Sequence, residues 1–327
     1  MDKIYLAVDL GGTRIRAARC RADGTLEART EQFTVADEGP AAVTARIEQS
    51  IRKVWPARDS VASIGVVAPG PLDPWTGVMF AAPNLPGFVD WPLRDRLMDI
   101  FHAPVVVGND ANLAGLAEWR FGAGRGYNDM VYLTISTGVG GGVISDGHLL
   151  LGSRGLAAEL GHFTLDHAGD ICKCGNAGCL EWLASGSAIV RQTIEHIQAG
   201  QSSRVIELAR GNLNAINVEM IGQAALDGDA LANSILDRAF RAFGLGVVSL
   251  LHIFNPSIVV IGGGVSNLGD RLFKPVRATV ERHAMSPRYL CPLVPAQLGN
   301  NVGLLGALAL ALDPPPQRPG VKPDFAP

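Results

Sequence analysis

The rhythm of apolar and polar positions changes several times along the chain, and each change marks an element. "IYLAVDL" (residues 4–10) is a short run of strand formers stopped by Gly11-Gly12. "TRIRAARC" and "TLEARTEQF" then alternate around Asp23-Gly24, a hairpin signal. From Ala41 to Val54 the period lengthens, and Val43, Ile47, Ile51 and Val54 fall on one helical stripe. "VASIGVVAPG" reads as a buried strand, Leu93 to Phe101 as a helix, "PVVVGND" as a strand and "ANLAGLAEWRF" as a helix. Asn109 and Asp110 therefore stand at the carboxyl end of a strand.

"MVYLTISTGVGGGVISDG" repeats the opening in kind: strand, polar turn with glycines, strand. Tyr5 to Gly12 aligns with Tyr132 to Val139, weakly in letters. Two similar halves follow, each opening with a β-hairpin whose turn could meet a phosphate. A third glycine turn, Gly262-Gly263-Gly264, follows the strand "SIVVI". Residues from about 186 to 253 read as mostly helical, and Asn301 to Leu312 as a closing helix. The tail from 313 to 327 is proline-rich and expected to be disordered. The expected order is α/β, then α/β with a helical insertion. One lobe spans 1–112 with the closing helix at about 301–312, and the other spans 113–300. A cleft between two such lobes is a common place for a ligand.

The total of 327 residues agrees with two domains, and 47% apolar content can bury a sizeable core. A net charge of −3 without long blocks of one sign argues against nucleic-acid or membrane partners. "MDKIYLAVDLGG" lacks the regions of a signal peptide. The longest apolar run, Ala242 to Leu251, is ten residues and too short to span a bilayer. A soluble cytoplasmic protein is the expectation, and there clustered cysteines bind metal or do redox chemistry more often than they form disulfides.

Glycines at strand ends in "DLGGTRIR", "STGVGGG" and "IGGGVS" favour phosphate, because backbone N–H groups can converge with no side chain in the way. Each alone also serves as a plain turn; three together favour a nucleotide. None is a P-loop, and none opens a helix as the dinucleotide fingerprint does. Asp9, a carboxylate ending a buried strand, needs a partner, and Mg²⁺ with a bound nucleotide would supply one. The alternative is an aspartate capping its own turn. Cys172, Cys174 and Cys179 fall within eight positions, in a spacing that is not C-x-x-C, so a thioredoxin-type redox motif is disfavoured. They supply three of the four ligands that zinc wants, and His162 or His167 must supply the fourth; spacing does not choose between them.

"DLGGTRIR", "APNLPGF", "GNDAN", "STGVGGG", "AELGH", "CKCGNAGCLE" and "ASG" occur in the order seen in the ROK (repressor, open reading frame, kinase) family, which the chain resembles over roughly residues 4 to 312. The resemblance implies a two-lobed actin-like, ribonuclease-H-like sugar kinase fold. It implies transfer of the ATP γ-phosphoryl group to a hexose or N-acetylhexosamine. Two positions depart from the family pattern: Ala158 stands where a glycine is usual, and Phe88 where kinase members often have tryptophan.

Phosphoryl transfer to a hydroxyl needs a base and positive dipoles around the phosphate. Asp110 is the candidate base, and the resemblance agrees; the competing role is an ordinary helix N-cap. By resemblance, Asn84, Asn109, Asp110, Glu159, His162 and Glu181 hold the sugar. The competing roles are a turn for Asn84 and a first-turn helix acid for Glu181. Asp9, Gly11, Gly12, Thr13, Arg14, Thr137, Gly138, Gly263 and Gly264 are the nucleotide candidates. The family pattern selects His162 with Cys172, Cys174 and Cys179 for a structural Zn²⁺, whose loop would tie Glu159 to Glu181. The expectation is an ATP- and Mg²⁺-dependent glucokinase, expected to be a homodimer. Kinases of N-acetylmannosamine, N-acetylglucosamine or fructose are the alternatives, with a non-catalytic ROK-like sugar-sensing regulator as the reading from another class.

Overall fold

A computed structural model describes residues 3–57 and 60–316. The chain forms two compact units. Met1–Gly122, Leu151–Ala157 and Leu298–Pro327 make the first, and Ala123–Leu150 with Ala158–Gln297 make the second. From residue 317 on, the tail expected to be disordered lies outside the described residues.

In the first unit, β1 (Ile4–Leu10) and β2 (Arg14–Cys20) form the opening hairpin, and β3 (Leu26–Phe33) extends it. After α1 (Gly39–Val54), β4 (Val61–Ala68) pairs parallel to β1. Three short strands follow, β5 (Leu72–Asp73), β6 (Val78–Ala81) and β7 (Val89–Pro92), which form a small antiparallel sheet. Helix α2 (Leu93–Phe101) leads to β8 (Val105–Asn109), parallel to β4, and α3 (Asp110–Phe121) runs on from it. The main sheet has the order β3-β2-β1-β4-β8.

Alternation along β1 sends Ile4, Leu6, Val8 and Leu10 into one core with the α1 stripe of Val43, Ile47, Ile51 and Val54. Tyr5, Ala7 and Asp9 take the opposite face, where the closing helix (Val302–Leu312) lies on β1, β4 and α3. That approach is close enough to require missing side chains. A Cβ on Gly65 would overlap the Ala307 carbonyl oxygen, one on Gly306 would lie 2.5 Å from the Leu113 oxygen, and one on Gly303 would lie 2.5 Å from Asp9 Oδ2.

In the second unit, β9 (Met130–Ile135) and β10 (Val139–Ser145) form a hairpin extended by β11 (His148–Leu149). A helical stretch follows: α4 (Leu180–Ala184), α5 (Gly186–Gln198), α6 (Arg204–Leu208), α7 (Val218–Leu226) and α8 (Ala230–Phe254). Strand β12 (Ile258–Gly262) pairs parallel to β9; α9 (Asp270–His283) then leads to β13 (Leu293–Pro295). The sheet order is β11-β10-β9-β12-β13. The two main sheets thus share one topology, a three-stranded antiparallel meander with two parallel strands added beside its first strand. The core forms around α8, where Phe240, Phe243 and Val247 are fully buried. No helix among the described residues is long and apolar enough to cross a membrane.

The closing-helix contact gives a direct test. Gly65→Ala drives a methyl group into backbone that cannot yield, and overpacking of this kind costs about 1–3 kcal/mol. Urea unfolding should show an unfolding free energy lower by that amount, seen as a reduced midpoint with an unchanged slope.

Candidate active site

The candidate residues of the first unit gather at the carboxyl ends of β1, β4 and β8. The registers place Asp9 beside Val67 and Asn109 beside Ala68, so the two polar strand ends lie at nearly one level with β4 between them. Asn109 is the N-cap of α3, and its Oδ1 accepts from the N–H groups of Ala111 (3.0 Å) and Asn112 (3.2 Å). Asp110 is thereby released from capping and sits at the first helical position. One of its oxygens accepts the N–H of Ala111 at 2.8 Å. Solvent reaches Asp110, yet loss of hydration to the surrounding protein raises its carboxyl above the ordinary range, against backbone and Asn109 hydrogen bonds that lower it.

Asp9 is also raised, first by burial; Arg16, 3.5 Å away, opposes this, and the charge of Asp110 adds to it. Two carboxylates at one sheet edge, with Arg16 beside Asp9 and the charge of Glu31 nearby, form a donor set that suits a divalent cation. Gly303, which the sequence reading passes over, belongs here: its missing side chain is what admits the Asp9 carboxylate.

The β1–β2 turn is held by Gly11 N–H to Arg14 O (2.9 Å) and by the Thr34 hydroxyl donating to Gly11 O (2.6 Å). The N–H groups of Gly12 and Thr13 have no protein partner among the described residues. Arg14 and Arg16 both pair with Glu31. A Cβ on Gly12 would lie 3.0 Å from the Asn84 carbonyl oxygen, so the turn rests against exposed Asn84. Phe88 is fully buried in the core, edge-on to Trp91 with ring centroids 6.0 Å apart, so this departure from the family pattern is a packing residue.

The second hairpin turn, Ser136 to Gly138, repeats the arrangement. Ser136 N–H donates to Gly138 O at 2.9 Å, and the N–H groups of Thr137 and Gly138 have no protein partner among the described residues. Gly263, with φ +86°, packs against the Ile135 backbone, where a Cβ would overlap it. The "ASG" stretch also finds its place. Ser185 caps α5 by accepting from Ala188 N–H (3.1 Å), and Gly186 N–H donates to Ser136 O (2.7 Å). Thr137 and Gly264 open onto a cavity of about 580 Å³ with apolar walls from Val190, Ile194, Ile216 and Val218 and polar groups from Ser187 and Asn217. None of these wall residues is a sequence-level candidate, since Val190 and Ile194 carry the same helical spacing as a core face.

His162, Cys172, Cys174 and Cys179 bring their ligand atoms within 4.8 Å of one another. Cys174 Sγ and Cys179 Sγ are 3.5 Å apart, and Cys172 Sγ and His162 Nδ1 are 3.9 Å apart. A tetrahedral zinc with Zn–S of about 2.3 Å needs such edges near about 3.8 Å. His167 is exposed and outside the cluster. The loop closes through Cys172 N–H to Asn176 O and Gly175 N–H to Cys172 O, both 2.8 Å. Gly175 (φ +91°) and Gly178 (φ +53°) take left-handed conformations there. Burial pushes the Cys179 thiol up to about 12, so a thiolate at that position requires a cation beside it. Three thiolates and an imidazole fill a zinc ion's coordination, which makes the site structural.

The glutamates bracket this loop. Glu181 N–H donates to Gly161 O at 2.9 Å, two residues beyond Glu159, and Glu181 Oε2 accepts from Val139 N–H at 2.9 Å. Glu159 is exposed and follows Ala158, whose φ is +68°. The position that departs from glycine therefore has a backbone that favours glycine.

The mixed α/β architecture is the two-lobed, actin-like fold of ROK sugar kinases. The sequence model of the ROK family matches residues 5–314, and the chain belongs to this family. The glucokinase of Thermotoga maritima is 38% identical over 313 residues, covering 95% of this chain and 98% of its own. The ROK glucokinase of Streptomyces griseus, solved with glucose and AMPPNP, is 32% identical with a TM-score of 0.79, over 94% of this chain and 99% of its own. The ROK hexokinase of Thermus thermophilus is 34% identical with a TM-score of 0.81, over 94% and 98%.

Two measurements test the local chemistry. Metal analysis should find one zinc per chain, and Cys174→Ser should lose it and loosen residues 170–180. Ala158→Gly should stabilise the protein by about 0.5–1 kcal/mol, because relief of the left-handed alanine outweighs the entropy of the added glycine; thermal unfolding reads the shift.

Proposed function

We propose that the chain transfers the γ-phosphoryl group of ATP to a hexose, foremost glucose to glucose 6-phosphate. The observation that carries the reading is Asp110: a carboxylate at a strand end, freed from capping by Asn109, raised in pKa and reached by solvent. A sugar hydroxyl oxygen attacks the γ-phosphorus, the bond to the bridging oxygen of ADP breaks, and the hydroxyl proton passes to Asp110. Asn84, Asn109, Glu159, His162 and Glu181 hold the sugar hydroxyls. With Nδ1 of His162 facing Cys172, Nε2 remains for the sugar. The free N–H groups of Gly12, Thr13, Thr137 and Gly138 receive phosphate oxygens, with Arg14, Gly11, Gly263 and Gly264 completing the turns. The apolar cavity beside Thr137 takes the nucleotide base. Mg²⁺ would be held by the nucleotide phosphates and Asp9, and would supply charge neutralisation.

Support comes from the family membership and from relatives that act as glucokinases over nearly their whole length. Asp110→Ala should lower kcat by about 10²–10⁴ and leave hexose binding by calorimetry within a few-fold; a variant keeping a tenth of the wild-type rate would overturn the assignment. The base must be ionised, so kcat/KM should fall as pH drops through the Asp110 pKa. Because that pKa is raised, the acid limb should lie above the ordinary aspartate value of about 3.9. The same sign makes the ionised group destabilising above its folded-state pKa, so Asp110→Asn should be more stable than wild type at neutral pH.

A further inference from the structure

We propose that Gly138 is a positioning residue for the hexose as well as a phosphate-turn glycine. It works through one strut, the hydrogen bond from Val139 N–H to Glu181 Oε2. The inference rests on the hexose-binding role of Glu181 proposed above.

Val139 is the first residue of β10, directly after the turn. Both expected sugar motifs grip it. On one side Glu181 Oε2 accepts its N–H at 2.9 Å. On the other, Gly161, which lies between Glu159 and His162, packs so close that a Cβ there would overlap the Val139 carbonyl oxygen. The grip is closed by Glu181 N–H donating to Gly161 O at 2.9 Å. Glu181 is half-buried, and with Oε2 committed to the strand its Oε1 is the oxygen left for a sugar hydroxyl. The direction of that oxygen is set by the turn.

Gly138 is where this arrangement leaves its mark on the sequence. Its φ is not left-handed, so the backbone alone would accept alanine. What excludes a side chain is the carboxylate: a Cβ would overlap Glu181 Oε2 and lie 3.2 Å from its Cδ. The ties of the turn to α5, Gly186 N–H to Ser136 O (2.7 Å) and Ser187 N–H to Thr137 O (3.2 Å), do not involve this glycine, and the tie within the turn, Ser136 N–H to Gly138 O, uses only its backbone. Gly138→Ala therefore displaces the sugar-side carboxylate without altering it. A glycine serving phosphate alone would show no such effect on the sugar.

Calorimetric titration of zinc-loaded protein with glucose alone, and separately with a non-hydrolysable ATP analogue, tests this. Gly138→Ala should weaken glucose about tenfold or more in the absence of nucleotide. The loss should be much smaller in a Glu181→Asp background, where the shorter side chain has withdrawn from the glycine. A glucose affinity within twofold of wild type overturns the proposal, and so does the same fold-loss in both backgrounds. If wild-type protein binds no hexose, the hexose reading itself fails; if wild type binds and Gly138→Ala is unaffected, only the coupling fails. Should the variant lose zinc or fold, hydrogen exchange at the Val139 amide of wild-type protein decides. Glucose without nucleotide should slow it at least threefold, and an unchanged rate overturns the strut.

Discussion

The first unit depends on one contact, the closing helix pressed against β1 and β4. Its closeness is written in glycine: Gly65 under the Ala307 carbonyl, Gly306 against Leu113, Gly303 over Asp9. Backbone packed this tightly gains dispersion contacts and excludes water from the odd-numbered face of β1. Asp9 lies on that face. Its raised pKa follows from the same exclusion, so the packing that holds the sheet also sets the protonation of this carboxylate. The helix further fixes α3, and with it the position of Asp110 at the end of β8.

Much of this was legible in the sequence. The two hairpins, the helix at Leu93–Phe101 and the glycine turns at strand ends all carry strong local signals, and each stands where the pattern puts it. The strands β5 to β7 were not legible, because segments of two to four residues broken by Asp73, Gly77 and Pro92 carry no period. Helix α9 was concealed by Pro275 in its interior, although Leu272, Phe273, Val276 and Val280 form its buried stripe. At the site, residue types were readable and their division of labour was not. Asn and Asp cap helices about equally well, so only the observed start of α3 assigns the cap to Asn109 and leaves Asp110 open. Spacing left His162 and His167 as equal candidates; the fold of the loop selects His162. The cavity walls come from α5 and the start of α7, and an apolar residue facing a cavity has the same sequence spacing as one facing a core.

The shared topology of the two sheets sharpens the contrast between their turns. Each hairpin leaves a pair of backbone N–H groups without a protein partner among the described residues, yet the surroundings differ. The first turn rests on Asn84, the second beneath the Glu181 carboxylate. A repeated backbone turn has thus acquired two different polar neighbours. A metal held by His162, Cys172, Cys174 and Cys179 would tie the segment between Gly161 and Glu181 near both ends, beside the second turn.

The placement of the closing helix has a consequence for biosynthesis. Strands β1, β4 and β8 leave the ribosome early, but the helix that covers one of their faces begins only at Val302. At about 5–20 residues per second, that face waits roughly ten to forty seconds for its cover. Through that interval the nascent first unit shows a bare parallel sheet, while most of the second unit emerges as nearly continuous chain and can complete its own core. The first strand made is thus among the last to be finished, and the nascent chain must be kept from partners that would take the helix's place.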